Sequence, residues 1–126
     1  MYELSVKTRF SAAHCLVGYD GRCAARHGHN WEVVVFVKGR KLDKLGMLID
    51  FHALKQIVRD ALEELDHTDL NALKAFTADN PSSENIARYL FGRLRGRLKG
   101  TGCAVDRVTV AETPENLVTY FGERHE

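Results

Sequence analysis

An α+β fold, with two helices laid on one face of an antiparallel sheet, is what the order of hydrophobic patterns in this sequence predicts. Three observations carry it. The N-terminal third alternates apolar and polar residues, the middle repeats its apolar residues every three or four positions, and the C-terminal stretch returns to alternation around one Pro-containing turn.

In Glu3 to His14, one parity holds Leu4, Val6, Thr8, Phe10, Ala12 and His14, and the other holds Ser5, Lys7, Arg9 and Ser11. That period of two predicts a half-buried strand with His14 at the end of its apolar face. Leu16 to Arg26, with Gly18, Asp20 and Gly21, reads as a loop. His27 to Lys38 forms a second strand, with His27, His29, Trp31, Val33, Val35 and Val37 on one face and Val34 and Phe36 on the other. Apolar residues on both faces predict cover on both sides over part of its length. The polar stretch "GRKLDKLG" then leads into a helix capped by Asp50, whose apolar positions are Phe51, Leu54, Ile57, Val58, Ala61, Leu62 and Leu65. "LDHTDLN" ends it. "DNPSSEN" starts a second helix, with Asn80 or a serine as cap, Pro81 and Glu84 at its beginning, and Ile86, Ala87, Leu90, Phe91, Leu94 and Leu98 as its buried stripe. The runs "AVDRVTVAE" and "LVTYFGE", joined through Pro114 and Asn116, complete the order ββααββ as a hairpin. A four-stranded sheet of this kind leaves two edges to be blunted or paired with another subunit.

The 126 residues fit one domain, 1–126, with enough chain for a hydrophobic core. With 18 basic and 17 acidic residues, the balance points away from a nucleic-acid or polyanion binder. "MYELSVKTRFSAAHC" has no continuous apolar run, which predicts no secretory signal, and no stretch has the length of a membrane span. Three cysteines at unmatched spacings argue against a disulfide framework and for a reducing, cytoplasmic setting.

The chemistry concentrates in "CAARHGHN". Alternate strand residues point the same way, so His27 and His29 project together with only glycine between them. His14 reaches the same point if the first two strands pair. Three imidazoles plus an open position describe a catalytic zinc site rather than a closed one. The alternative is three unrelated histidines satisfied by hydrogen bonds. By spacing alone, Cys23 is a fourth ligand, a thiolate base activated by a nearby dication, or an inert small hydrophobe. Cys15 has the opposite parity to His14 and should point away from the metal, and Cys103 has no assigned role. Asp66 and His67, at a helix end, and Glu112, which shares parity with Val108 and Val110, read in isolation as solvated polar positions.

Taken in order, "FSAAH", "CAARHGHN", "IDF", "LDHTDLN", "NPSSEN" and "AETPEN" resemble the 6-pyruvoyltetrahydropterin synthase superfamily over nearly the whole chain. The three residues between Cys23 and His27 are similar to its bacterial 6-carboxy-5,6,7,8-tetrahydropterin synthase branch. The resemblance implies the tunnelling fold (T-fold), in which ββααββ subunits join their sheets into a barrel and stack as a homohexamer. It implies Zn2+ held by His14, His27 and His29, with Cys23 as the base beside it and Asp66 and His67 as a catalytic pair from a neighbouring subunit. Glu112 is implied to grip the pterin's amino-pyrimidinone edge, where a carboxylate accepts two parallel N–H bonds. The implied substrate is 7,8-dihydroneopterin triphosphate, converted to 6-carboxytetrahydropterin, acetaldehyde and triphosphate for 7-deazapurine (queuosine) synthesis. Arg9, Lys7, Arg22 and Arg26 are candidates for the triphosphate. Three other readings stand beside it: triphosphate elimination by a pyruvoyl-type enzyme, a non-catalytic zinc- or pterin-binding homologue, and a structural Cys-His zinc module.

Overall fold

The computed structural model describes residues 1–18 and 25–123. Strand β1 (Tyr2–His14) pairs antiparallel with β2 (His27–Gly39), and helix α1 (Phe51–Leu62) follows. After α1 come a two-residue strand β3 (Thr68–Asp69), two short 3-10 turns, helix α2 (Ser83–Arg97), and the hairpin of β4 (Ala104–Thr113) and β5 (Asn116–Tyr120). The sheet order is β3-β1-β2-β4-β5.

The sequence predicts four antiparallel strands, and the sheet has a fifth. β3 runs parallel to β1, with Thr68 and Asp69 beside Ala12 and Ala13. Two residues are too few to show a period. What docks them is the turn before: the Ser11 amide donates to Asp66 Oδ1 at 2.9 Å, and the His67 amide donates to the Ser11 carbonyl. β3 covers only the end of β1, so within the chain the outer edges of β5 and of most of β1 carry no partner strand among the described residues.

Parity decides the core. Trp31, Val33, Val35 and Val37 of β2 are fully buried, together with Leu54, Val58 and Ala61 of α1 and Ile86, Ala87, Leu90 and Leu94 of α2. Each such Val, Leu or Ile contributes about 1.5–3 kcal/mol by leaving water. Both predicted caps form: Asp50 accepts from the Ala53 amide, and Ser82 accepts from the Asn85 amide. Phe51, predicted on the buried stripe, is 52% exposed. Periodicity fixes the side a residue faces, not how far the surface beneath it extends. Gly39 closes β2 where a Cβ would come within 2.9 Å of the Gly102 carbonyl oxygen, so the chain can leave the sheet there only through glycine. Among the described residues no helix is long and apolar enough to cross a membrane.

Candidate metal centre

The β1–β2 register sets His14 directly opposite His27, and His29 opposite Ala12. All three histidines lie on the helix-facing side, above Trp31, whose indole N–H donates to the Ala12 carbonyl at 3.2 Å. Glu112 joins them from β4. The β2–β4 ladder pairs Val33 with Val110 and Glu32 with Ala111, so the next residue of β4 falls alongside Trp31 on the same face. One ligand atom from each of His14, His27, His29 and Glu112 lies within 4.8 Å of every other.

Hydrogen bonds set the ring orientations. His14, only 2% exposed, donates Nδ1–H to the Pro81 carbonyl at 2.8 Å, and His27 donates Nδ1–H to the Ala25 carbonyl at 3.2 Å. A carbonyl only accepts, so the Nε2 of each neutral ring carries a lone pair. Those two Nε2 atoms are 3.1 Å apart. Two facing lone pairs repel, and a cation held between them removes the conflict. His29 Nε2 is buried without a hydrogen-bond partner among the described residues, 3.5 Å from Glu112 Oε1. Burial pushes the His29 ring below its usual pKa, and the His14 and His27 rings push the same way against the pull of Glu112. A neutral ring is the ligand form. Three imidazole nitrogens and one carboxylate oxygen, two of the rings braced by backbone carbonyls, suit a borderline dication such as zinc.

The other predicted residues stand elsewhere. Cys23 and Arg22 lie outside the described residues. Cys15 is buried and outside the cluster, as its parity predicts. Asp66 and His67 form their own pair, with His67 Nδ1 3.0 Å from Asp66 Oδ1, and His67 has φ +58. They hold to β1 through Ser11 and do not join the histidines. Lys7 pairs with Glu32 at 3.8 Å, and Arg26 pairs with Asp69 at 3.0 Å. Arg9 lines a cleft of about 380 Å³ that runs past Asn30 and Glu32 to Glu112 and Pro114. A larger cleft of about 530 Å³ separates β1 from α1 and has Arg9 and Asp66 on its wall.

Sequence reasoning missed two asparagines. The Asn71 side chain takes both backbone groups of Cys15, accepting from its amide and donating to its carbonyl, each at 2.9 Å. Asn80 does the same for Val17. Each amide stands in for a neighbouring strand and steers the chain as it leaves His14. The sequence signal was membership of "LDHTDLN" and "NPSSEN": Asn71 had no assigned role, and Asn80 was a candidate cap for α2, a place that Ser82 takes while the Asn80 side chain binds Val17.

A family model described as 6-pyruvoyl tetrahydropterin synthase matches residues 3–123. An Archaeoglobus fulgidus protein provisionally described as 6-carboxy-5,6,7,8-tetrahydropterin synthase is 38% identical over 112 residues, 89% of each chain. The Haemophilus influenzae 6-carboxy-5,6,7,8-tetrahydropterin synthase is 30% identical over 95% of this chain and 99% of its own. A Pyrococcus furiosus dihydroneopterin monophosphate aldolase is 40% identical over 94 residues, 75% of each. Among solved structures, Caenorhabditis elegans 6-pyruvoyl tetrahydropterin synthase superposes with a TM-score of 0.85 at 30% identity, covering 97% of this chain and 96% of that one.

Proposed function

The chain belongs to the 6-pyruvoyl tetrahydropterin synthase family and has its T-fold, and from that premise we propose that it is a zinc-dependent 6-carboxy-5,6,7,8-tetrahydropterin synthase. The observation that carries the reading is the convergence of His14, His27, His29 and Glu112 on one point in a chain with curated relatives of that name. The three histidines would hold the zinc, which supplies Lewis acidity and a template for the substrate's side-chain oxygens.

The chain's own residues do the rest. Glu112 accepts two N–H bonds from the pterin's amino-pyrimidinone edge. The adjoining cleft, walled by Arg9, Asn30 and Pro114, falls within the usual range for a small-molecule pocket. Cys23 acts as base on the side chain of 7,8-dihydroneopterin triphosphate, four residues before His27 and near enough in sequence for a bound dication to favour its thiolate. Asp66 and His67 supply the second acid/base partner. Their separation from the histidines within one chain, and the unpartnered edges of β1 and β5, support a site shared between subunits of a homohexamer. Water, triphosphate release and carbon–carbon cleavage then give 6-carboxytetrahydropterin and acetaldehyde, a lyase step for 7-deazapurine synthesis in the cytoplasm.

The relative that is 40% identical favours a second reading, aldol cleavage of dihydroneopterin monophosphate. Mass spectrometry of products from the zinc-loaded protein with each phosphate ester separates the two. The first reading expects 6-carboxytetrahydropterin from the triphosphate. A 6-hydroxymethyl pterin formed from the monophosphate alone would replace it with the aldolase, and a 6-pyruvoyl product would replace it with triphosphate elimination.

A further inference from the structure

We propose that the chain has a second small-molecule site, at the end of the sheet away from the histidines, for an amphipathic anion: a flat apolar body ending in one carboxylate. The site is the cleft of about 500 Å³ between the C-terminal half of α2, the start of β4 and the segment after β5. That volume falls in the usual range for small-molecule pockets. Ala104 and Val105 border it, and they pair with Lys38 and Val37 where β2 ends. Glu112 lies near the other end of β4, more than about 20 Å away at the rise of a strand.

The floor follows from helical spacing. Phe91, Arg95, Leu98 and Lys99 recur at steps of four, three and one, so α2 and its last turn send two apolar and two basic side chains into one cleft. Phe91 and Leu98 are buried, and Val105 and the 48% exposed Phe121 extend the apolar lining. The far wall is held in place. Gly122 has φ +79, and a Cβ there would come within 2.8 Å of the Phe91 ring, so only glycine lets the segment lie on it. Tyr120 meets the same ring edge-on with centroids 5.2 Å apart, and its hydroxyl donates to Glu123 at 3.0 Å. The wall's carboxylate is thereby engaged.

Charge selects the occupant. Asn85 to Val105 holds Arg88, Arg93, Arg95, Arg97 and Lys99 and no acidic residue, in a chain whose net charge is only +1. Arg88 pairs with Asp79 and Arg93 with Glu64, but Arg95 and Lys99 pair with no carboxylate among the described residues. The Arg95 guanidinium stands 5.3 Å from the Phe91 centroid, at the edge of the apolar floor. A carboxylate there takes two parallel N–H bonds from the guanidinium while the body attached to it covers Phe91 and Leu98. A bare inorganic anion would leave the apolar lining wet, and a neutral ring would leave both cations unpaired. Only a ligand with both parts satisfies the cleft.

Calorimetry on the full chain tests this with three probes: 2-naphthoate, its neutral counterpart 2-naphthalenemethanol, and inorganic phosphate. Naphthoate should bind once per chain, about 10–100-fold more tightly than the alcohol, the worth of a hydrogen bond to a charged group. Phosphate should give no saturable heat. Arg95→Gln combined with Lys99→Gln should bring the acid down to the alcohol, and Phe121→Ala should weaken both alike. All three positions are exposed, so thermal melts and native mass should match the wild type. His27→Ala should bind naphthoate as the wild type does, which places the probe away from the metal centre and keeps this inference independent of the proposed activity. Equal binding of acid and alcohol, undiminished naphthoate binding by the double variant, or its loss in His27→Ala would overturn the site. So would an absence of naphthoate binding together with a lower native mass for Phe121→Ala, which would assign the cleft to a second copy of the chain.

Discussion

The histidine cluster and the Asp66–His67 turn both sit at the C-terminal end of β1, yet they are built in opposite ways. The cluster faces the helices. Two of its rings are pinned by backbone carbonyls, and its floor is a fully buried tryptophan. The turn faces outward: the His67 side chain is 81% exposed, its backbone lies in the left-handed region, and its attachments are to Asp66 and Ser11. Groups that must converge on a small ion have to be fixed relative to one another within one chain. A pair meant for something outside the chain needs only a firm base and an open face. The chain thus carries a preassembled cluster and a displayed Asp66–His67 pair, and substitutions should sort accordingly.

The largest effects belong to the cluster. His27→Ala or His29→Ala removes half of the strand chelate, so metal content by mass spectrometry should fall sharply and activity should drop below detection. The fold should survive, because the sheet and core form without these rings. Full zinc occupancy in both variants would remove the ligand assignment.

Next in size is Cys23→Ala. A base beside the metal, rather than a ligand on it, can be lost with zinc stoichiometry and pterin binding intact. Turnover should fall by roughly two to four orders of magnitude. A variant that purifies without zinc would make Cys23 a ligand instead. Mixing this variant with His67→Ala after dissociation and reassembly should restore part of the activity if the displayed turn serves a neighbouring cluster. No recovery after verified mixing would place a complete site in each chain.

What could be read beforehand follows the range of the interaction involved. Both long strands, both helices and the hairpin showed as local periods, and His14, His27 and His29 followed from parity plus one pairing of neighbours. Glu112 was half legible. Its parity put it on the Val108–Val110 face, but its place beside the histidines depends on the β2–β4 register, which no local pattern states. β3 was too short to have a period. The asparagine braces join residues 56 and 63 positions apart through side-chain amides and leave no trace in either segment.

Those braces are the next comparison to break. Asn71→Ala strips both partners from the backbone of Cys15, which is buried, and should cost about 1–3 kcal/mol for groups left unpaired away from water. Asn80→Ala strips the same two bonds from Val17, which is 69% exposed, where water replaces them at a smaller loss. Urea unfolding of the two variants measures the difference directly. Equal losses would mean that the braces matter for something other than satisfying buried backbone.

The smallest expected effect tests the displayed turn from the opposite direction. A residue with a Cβ in the left-handed region costs roughly 1–2 kcal/mol, and His67 sits there at φ +58. Glycine removes that strain but loses about 0.5–1 kcal/mol through the extra freedom of the unfolded chain. The His67–Asp66 contact is exposed on both sides and adds at most about 1 kcal/mol. These contributions nearly cancel, so His67→Gly should unfold within about 1 kcal/mol of the wild type, at or slightly above it. The turn itself should persist, because the Asp66 carboxylate and the His67 amide, not the imidazole, bind Ser11. Zinc content should also be untouched, since the ring lies outside the cluster. Activity should nevertheless collapse, which separates a residue kept for chemistry from one kept for the fold. A loss of several kcal/mol, or a loss of zinc, would show that the imidazole supports the structure and that the turn and the cluster are not independent.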